Sequence, residues 1–329
     1  MKQKIIIGCS VALLLLAVFL IARDLFHHSP TQTEATCCGD DFARLKQIDT
    51  SLLGYKRVSH IRTNLQDLSG IALDDSQNVY VCGNRQVSVF DAGGKRTGGF
   101  KTDSMAGCIA VHGSDLYLGM GPGIAHYTIH GDQAAFWKAY NASGVITSLT
   151  TNGDQVYAAD AFSKRVLKYE KDGRFIQEIG KKDTLTGSMG FVIPSLYFDI
   201  AFGAFNDLWV VNPGKLSVEN YTPTGYLQSA WGKASFENNG FTGCCNPAHM
   251  AVLPDGNFVT YEKGIDKIKV FDPTGQFVCM VAGAGSFKGN ADFQLGKIDL
   301  VKDIASGSDG RIYVLDAYNQ INVFEKTEY

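Results

Sequence analysis

An excess of charge of either sign is missing from this sequence. Its 329 residues carry Lys+Arg 30 against Asp+Glu 33, a net charge of −3, and charged residues make up only 19%. Without a basic field, nothing points to nucleic acid as a partner, and no acidic block supplies a solvating tail. Local signatures of familiar chemistry are missing too: no HExxH, GxSxG or CxxC occurs. The glycine runs Gly119-x-Gly121-x-Gly123 and Gly283-x-Gly285 fall in predicted loops with no helix after them, which argues against a phosphate cradle. Proline is scarce at 8, beside 36 Gly, 14 Tyr and 20 Phe. That balance suits many short strands joined by tight turns.

One long apolar run stands out. Lys2 and Lys4 precede an uncharged stretch over residues 5–22, closed by Arg23 and Asp24, which reaches the lower end of what spans a bilayer as a helix. Leu20-Ile21-Ala22-Arg23 is a poor context for signal-peptide cleavage, so residues 1–24 read as a membrane anchor in preference to a cleaved signal. Positive charge before the run directs the rest of the chain outward, so the expected location is a membrane with the remaining chain exported, periplasmic or extracellular. Export alters the reading of the 8 cysteines. With Cys9 inside the apolar run, an odd number faces an oxidising compartment, so at least one thiol stays unpaired.

Self-similarity at a spacing of about 40–50 residues is the mark of a solenoid or propeller. Six segments align: 69–95, 107–132, 148–180, 198–232, 248–283 and 303–329. Each reads as a short apolar strand, a turn rich in Asp, Gly and Asn, a second strand, a polar loop, a third strand, and a further turn and strand. Turns such as Pro254-Asp255-Gly256-Asn257 and Asp272-Pro273-Thr274-Gly275 supply the backbone angles that hairpins require. The alternation in Lys267-Ile268-Lys269-Val270-Phe271 has the period of a half-buried strand. A lone four-stranded sheet cannot bury both faces, so six must pack around an axis. The sixth segment lacks a fourth strand, and the run from Tyr55 to Ile61, centred on Val58, is expected to complete it and close the ring.

The pattern resembles the NHL-repeat family, carried by Ile312-Tyr313-Val314-Leu315-Asp316, Val270-Phe271-Asp272 and Val156-Tyr157-Ala158-Ala159-Asp160. Repeats 1, 2 and 4 depart from it, with Gly83, Met120 and Asn212 where that family usually has Asp. The resemblance covers about residues 69–329 and implies an all-β, six-bladed propeller of four-stranded antiparallel blades. The expected organisation is an N-terminal transmembrane helix within 1–24, a linker with vicinal cysteines over 25–50, and the propeller over 51–329.

Connections 181–197, 233–247 and 284–302 are long and emerge at one end of the ring, where specificity is expected to collect. Alignment on the first apolar residue of each inner strand places Gly70, Cys108, Ser148, Asp199, His249 and Asp303 in a ring at the channel mouth. His249, Asp199, Asp303 and Cys108 are metal or general-base candidates if they converge, with zinc or calcium the cofactor to test. The plainer reading is that they cap strands or bond to neighbouring blades. In amidating lyases of the resembled family, several His residues ligate zinc; here only His249 stands in such a position.

The vicinal pairs Cys37-Cys38 and Cys244-Cys245 match zinc spacing poorly and fit disulfides with each other better, although a redox or soft-metal site remains an alternative. Cys82 and Cys108 are expected to be able to pair across blades, leaving Cys279 over. Asp160, Glu262 and Asp316 recur after second strands, where calcium is one reading and structural hydrogen bonding the favoured one. The leading function is a membrane-anchored binding module for a protein, peptide or glycan. The alternatives are a metal-dependent lyase or hydrolase at the channel mouth and a thiol-based redox or metal-handling protein.

Overall fold

The computed structural model describes residues 44–183, 189–203, 205–287 and 299–328. Among them the strands form six four-stranded antiparallel sheets. From the inner strand outward, blade 1 is Leu68–Leu73, Val79–Gly83, Gln86–Phe90 and Arg96–Lys101, and blade 2 is Cys108–His112, Asp115–Met120, Gly123–Thr128 and Gln133–Trp137. Blade 3 is Ile146–Thr151, Gln155–Asp160, Arg165–Glu170 and Phe175–Ile179, and blade 4 is Ile200–Phe202, Leu208–Asn212, Ser217–Tyr221 and Leu227–Trp231. Blade 5 is His249–Val252, Phe258–Glu262, Lys267–Phe271 and Phe277–Ala282. Blade 6 is Val301–Ser306, Ile312–Asp316 and Gln320–Lys326, with Tyr55–Arg62 as its outer strand. The inner strands neighbour one another in cyclic order, blade 6 returning to blade 1, so the ring is closed.

The N-terminal strand is the latch. Tyr55 pairs with Lys326, Ile61 with Ile321 and Arg62 with Gln320, with a register shift between Arg57 and Ser59 at the expected centre of the run. Ile61 is buried in the core shared by blades 6 and 1, so the latch contributes packing as well as ladder bonds. The compact unit begins at Lys46. No helix among the described residues is long and apolar enough to cross a membrane; the expected anchor and the Cys37-Cys38 pair lie outside the described residues.

The core is divided into seams. Each apolar cluster joins residues of two adjacent blades: Tyr80, Cys82 and Val87 with Ile109 and Leu118, for example, or Val210 and Tyr221 with Tyr157 and Ile179. Both faces of every inner blade surface are therefore covered. This corrects the half-buried reading of residues 267–271, all five of which are buried, Lys267 and Lys269 included. Alternation marks two chemically different faces there, and in a ring of blades each face meets a neighbour.

A recurrent contact clamps two of the seams at the rim. Trp137, last in blade 2's outer strand, packs on Gly173 in the turn before blade 3's outer strand, and Trp231 packs the same way on Gly275 of blade 5. Both glycines have positive φ, +89° and +82°, and a Cβ there would come within 2.4 Å and 2.7 Å of the indole. Glycine is thus required twice over, for backbone angle and for clearance.

Candidate functional site

The first residues of the inner strands are laced together around the axis. Ser69 Oγ donates to the Ala106 carbonyl at 2.6 Å, Cys108 Sγ to the Ile146 carbonyl at 3.7 Å, and Thr147 Oγ1 to the Phe198 carbonyl at 2.7 Å. Ser148 Oγ donates to Asp199 Oδ1 at 2.5 Å, Met250 N to Asp199 Oδ2 at 2.8 Å, and Ile71 N to Asp303 Oδ2 at 2.9 Å. Each bond crosses from one blade to the next. Between blades 5 and 6 the corresponding facing pair is His249 Nδ1 and Asp303 Oδ1, 3.8 Å apart. The strands enclose a channel of about 250 Å³.

Three of the four metal candidates converge. One ligand atom each from Asp199, His249 and Asp303 lies within 4.8 Å of the others, and His249 Nδ1 is 3.8 Å from both carboxylates. Burial pushes the Asp199 carboxyl up to about 6 despite its bonds to Ser148, Met250 and Ile200. Burial, then repulsion from Asp199, pushes Asp303 well above the usual carboxylate range, and burial pulls His249 down to about 4. The imidazole is therefore neutral near pH 7, and burial with the neighbouring Asp199 favours the protonated form of Asp303. Tyr197 meets the His249 ring edge-on, with centroids 5.7 Å apart, and Tyr261 stacks on it at 6.1 Å. Nε2 is buried without a hydrogen-bond partner.

Two chemical uses follow. As found, the carboxylates splice blades: Asp199 accepts from three groups and Asp303 from Ile71 N and Ile304 N. This is the plainer of the two expected roles. The same donor set also fits a small divalent cation, because tetrahedral zinc holds its ligand atoms about 3.4 Å apart, close to the 3.8 Å observed here. Calcium fits less well, since it requires six to eight oxygens. Cys108 stands outside the cluster, its thiol directed at the Ile146 carbonyl and raised well above its ordinary range by burial.

The cysteines behave as thiols. Cys82, Cys108, Cys244, Cys245 and Cys279 are all free. The expected bond between Cys82 and Cys108 is not formed: Cys82 Sγ sits 3.7 Å from Ser69 Oγ, its pKa pushed up to about 12 by burial. Cys244 and Cys245 hold their sulfurs 3.5 Å apart. Their proposed partners, Cys37 and Cys38, lie outside the described residues.

The recurrent acids after the second strands turn inward. Asp160 accepts from the backbone N–H groups of Val145, Phe162 and Ser163, and Asp316 from those of Tyr318 and Gln320 and from Asn322 Nδ2. Glu262 accepts from Thr242 N at 2.6 Å and pairs with Lys269. Each fixes a loop at the mouth and leaves little for a cation.

Residues that sequence reasoning missed surround His249. Tyr197 donates to Asp299, and Lys263 lies 4.9 Å over the Tyr197 ring. All three sit in the hairpin or connections of blades 4 to 6, and the only available signal was that those connections are long.

No protein-family model matches the sequence, and no curated protein matches it. Solved structures do resemble it. A streptogramin B lyase aligns with TM-score 0.59 at 15% identity, covering 85% of this chain and 100% of that one. Virginiamycin B lyase from Staphylococcus aureus gives 0.56 at 15%, covering 83% and 100%. The WD40 propeller domain of Doa1 gives 0.54 at 12%, covering 84% and 98%. At such identities the likeness shows the fold alone, and the chain is a six-bladed β-propeller.

Proposed function

We propose that the protein is an exported binding module, anchored in a membrane through residues 5–22, whose mouth face engages a protein, peptide or glycan borne on that membrane. The NHL-type repeats noted in the sequence support assignment to that propeller type. The observation that carries the reading is the crowding of exposed apolar side chains on the loops of one face: Met105, Phe162, Met189, Leu196 and Phe236 are 59%, 57%, 70%, 62% and 76% exposed, against Phe205 and Tyr226 in the turns of the opposite face. Loops that serve only to connect blades do not need such side chains. A photocrosslinker at Leu196 or Lys263 in cells is expected to trap a discrete adduct, lost on Tyr197→Ala. Crosslinking no stronger than from Asp154, on the opposite face, would defeat the reading.

A second reading is favoured by the Asp199, His249 and Asp303 cluster, in which Nδ1 faces both carboxylates: a divalent-metal lyase or hydrolase, two of the similar folds being lyases by name. Asp199, His249 and Asp303 would hold zinc with both carboxyls ionised, and the ion, when bound, would polarise a substrate oxygen. Metal analysis of the purified protein decides, because stoichiometric metal lost in His249→Ala supports this reading and its absence in wild type removes it.

A further inference from the structure

The two faces of the propeller differ in charge. Strand order brings the hairpins between second and third strands, and the connections between blades, to the mouth face. There Arg85, Lys164 and Lys215 are exposed in hairpins, Lys181 and Lys182 in the connection leaving blade 3, and Lys302 at the start of blade 6. Asp67, Asp103 and Glu237 offset part of this, while Asp160, Glu262 and Asp316 are buried as loop caps. The turns of the opposite face expose Asp75, Asp132, Asp154, Asp172, Asp255 and Asp309 beside Lys95, Lys171, Arg174 and Lys326, and Asp255 and Asp309 are paired with Lys326 and Arg311 at 3.9 Å and 3.4 Å. A net charge of −3 therefore conceals a basic mouth face set against one of mixed charge.

Apolar side chains are interleaved with the basic ones. Phe162 shares a hairpin with Lys164, and Met189 and Leu196 share a connection with Lys181 and Lys182. The chain also enters the propeller here: Lys46 Nζ lies 3.6 Å from Asp266 in the mouth-face hairpin of blade 5, both side chains nearly buried at 6% and 4% exposure. Two residues on, Ile48 fills the space over Gly283 at the end of that blade's outer strand.

We infer that the mouth face lies on an anionic lipid surface, with lysines on the phosphates and Phe162, Met189, Leu196 and Met105 in the headgroup layer. This rests on the reading of residues 5–22 as the anchor. Basic residues near an anionic leaflet and apolar side chains at its interface each add to surface binding, and a tether raises the local concentration of the face at the bilayer. The channel then opens toward the bilayer, and its ligand is one that the membrane itself carries.

Hydrogen exchange on the full chain in lipid nanodiscs tests this, using phosphatidylcholine alone and phosphatidylcholine with about one-third phosphatidylglycerol. The expected result is exchange about tenfold slower around 160–165, 189–197 and 212–217 in the anionic discs, with turns 152–154 and 254–256 unchanged. The combined variant Phe162→Ser, Lys164→Glu, Leu196→Ser should lose that protection while keeping the wild-type melting temperature. Equal exchange in both lipids overturns the inference, as does protection that appears only when a soluble protein or polysaccharide is added. Retention in the discs during gel filtration reports separately on the anchor, so a chain that never enters discs refutes the anchor and not the docking face.

Discussion

The Lys269 ammonium rests against the Glu262 carboxylate in the seam between blades 4 and 5, each side chain only 1% exposed. It also donates to the carbonyls of Asn238 and Gly240 and lies over the rings of Phe241 and Phe271. Lys269→Met leaves a buried carboxylate without its counter-charge and the connection without its anchor. The expected loss is about 3–5 kcal/mol, read from chemical denaturation. A shift below about 1 kcal/mol would mean that the pair is dispensable.

Gly275 and Gly310 both have positive φ, +82° and +79°, but only Gly275 has a side chain above it, Trp231 at 2.6 Å from a Cβ, whereas Gly310 has nothing within 4 Å. Alanine at Gly310 should cost the backbone penalty alone, about 1–2 kcal/mol. Alanine at Gly275 should cost about 2 kcal/mol more, because the indole must move. Equal losses would show that the tryptophan seat contributes nothing.

Alkaline pH should unfold the protein partly through its tyrosines. Burial pushes the Tyr157 and Tyr169 phenols up to about 12, while in the unfolded chain they ionise near pH 10. A raised pKa favours the protonated form in the fold, so this stability is intact below about pH 10 and is lost as pH rises toward 12, on the order of 2 kcal/mol per phenol. Tyr157→Phe should flatten the decline of melting temperature between those pH values.

Thiol reactivity should follow burial. In the reduced protein Cys244, which is exposed, should react first with a disulfide reagent. Cys82 and Cys108, buried and with raised pKa values, should react only on denaturation. Rapid native-state labelling of Cys82 would contradict the packing of the seam between blades 1 and 2.

The blades were legible because the repeat is redundant. The apolar residues aligned from the sequence, Ile71, Ile109, Leu149, Ile200, Met250 and Ile304, all fall on inner strands, and the missing fourth strand of the last repeat identified Tyr55–Arg62 as its replacement. Alignment also brought Asp199, His249 and Asp303 to one level, since equivalent positions in a ring face one axis. What alignment could not convey is where a side chain turns from its strand. Cys82 and Cys108 stand at neighbouring levels, yet each sulfur is directed at a different oxygen. Lys269 looked solvent-facing because its burial depends on connection 233–247, which belongs to no repeat. Tyr197 and Asp299 sit in connections for the same reason.

Because Tyr55–Arg62 zips onto Gln320–Lys326, two segments far apart in the chain must meet before the last sheet exists. Such a distant pairing is slow by its topology, and until Gln320–Lys326 has been made Ile61 has no partner strand and the seam of blades 6 and 1 stays open. Until that pairing is made the third strand of blade 6 presents a bare edge, the kind of surface on which stray strands add.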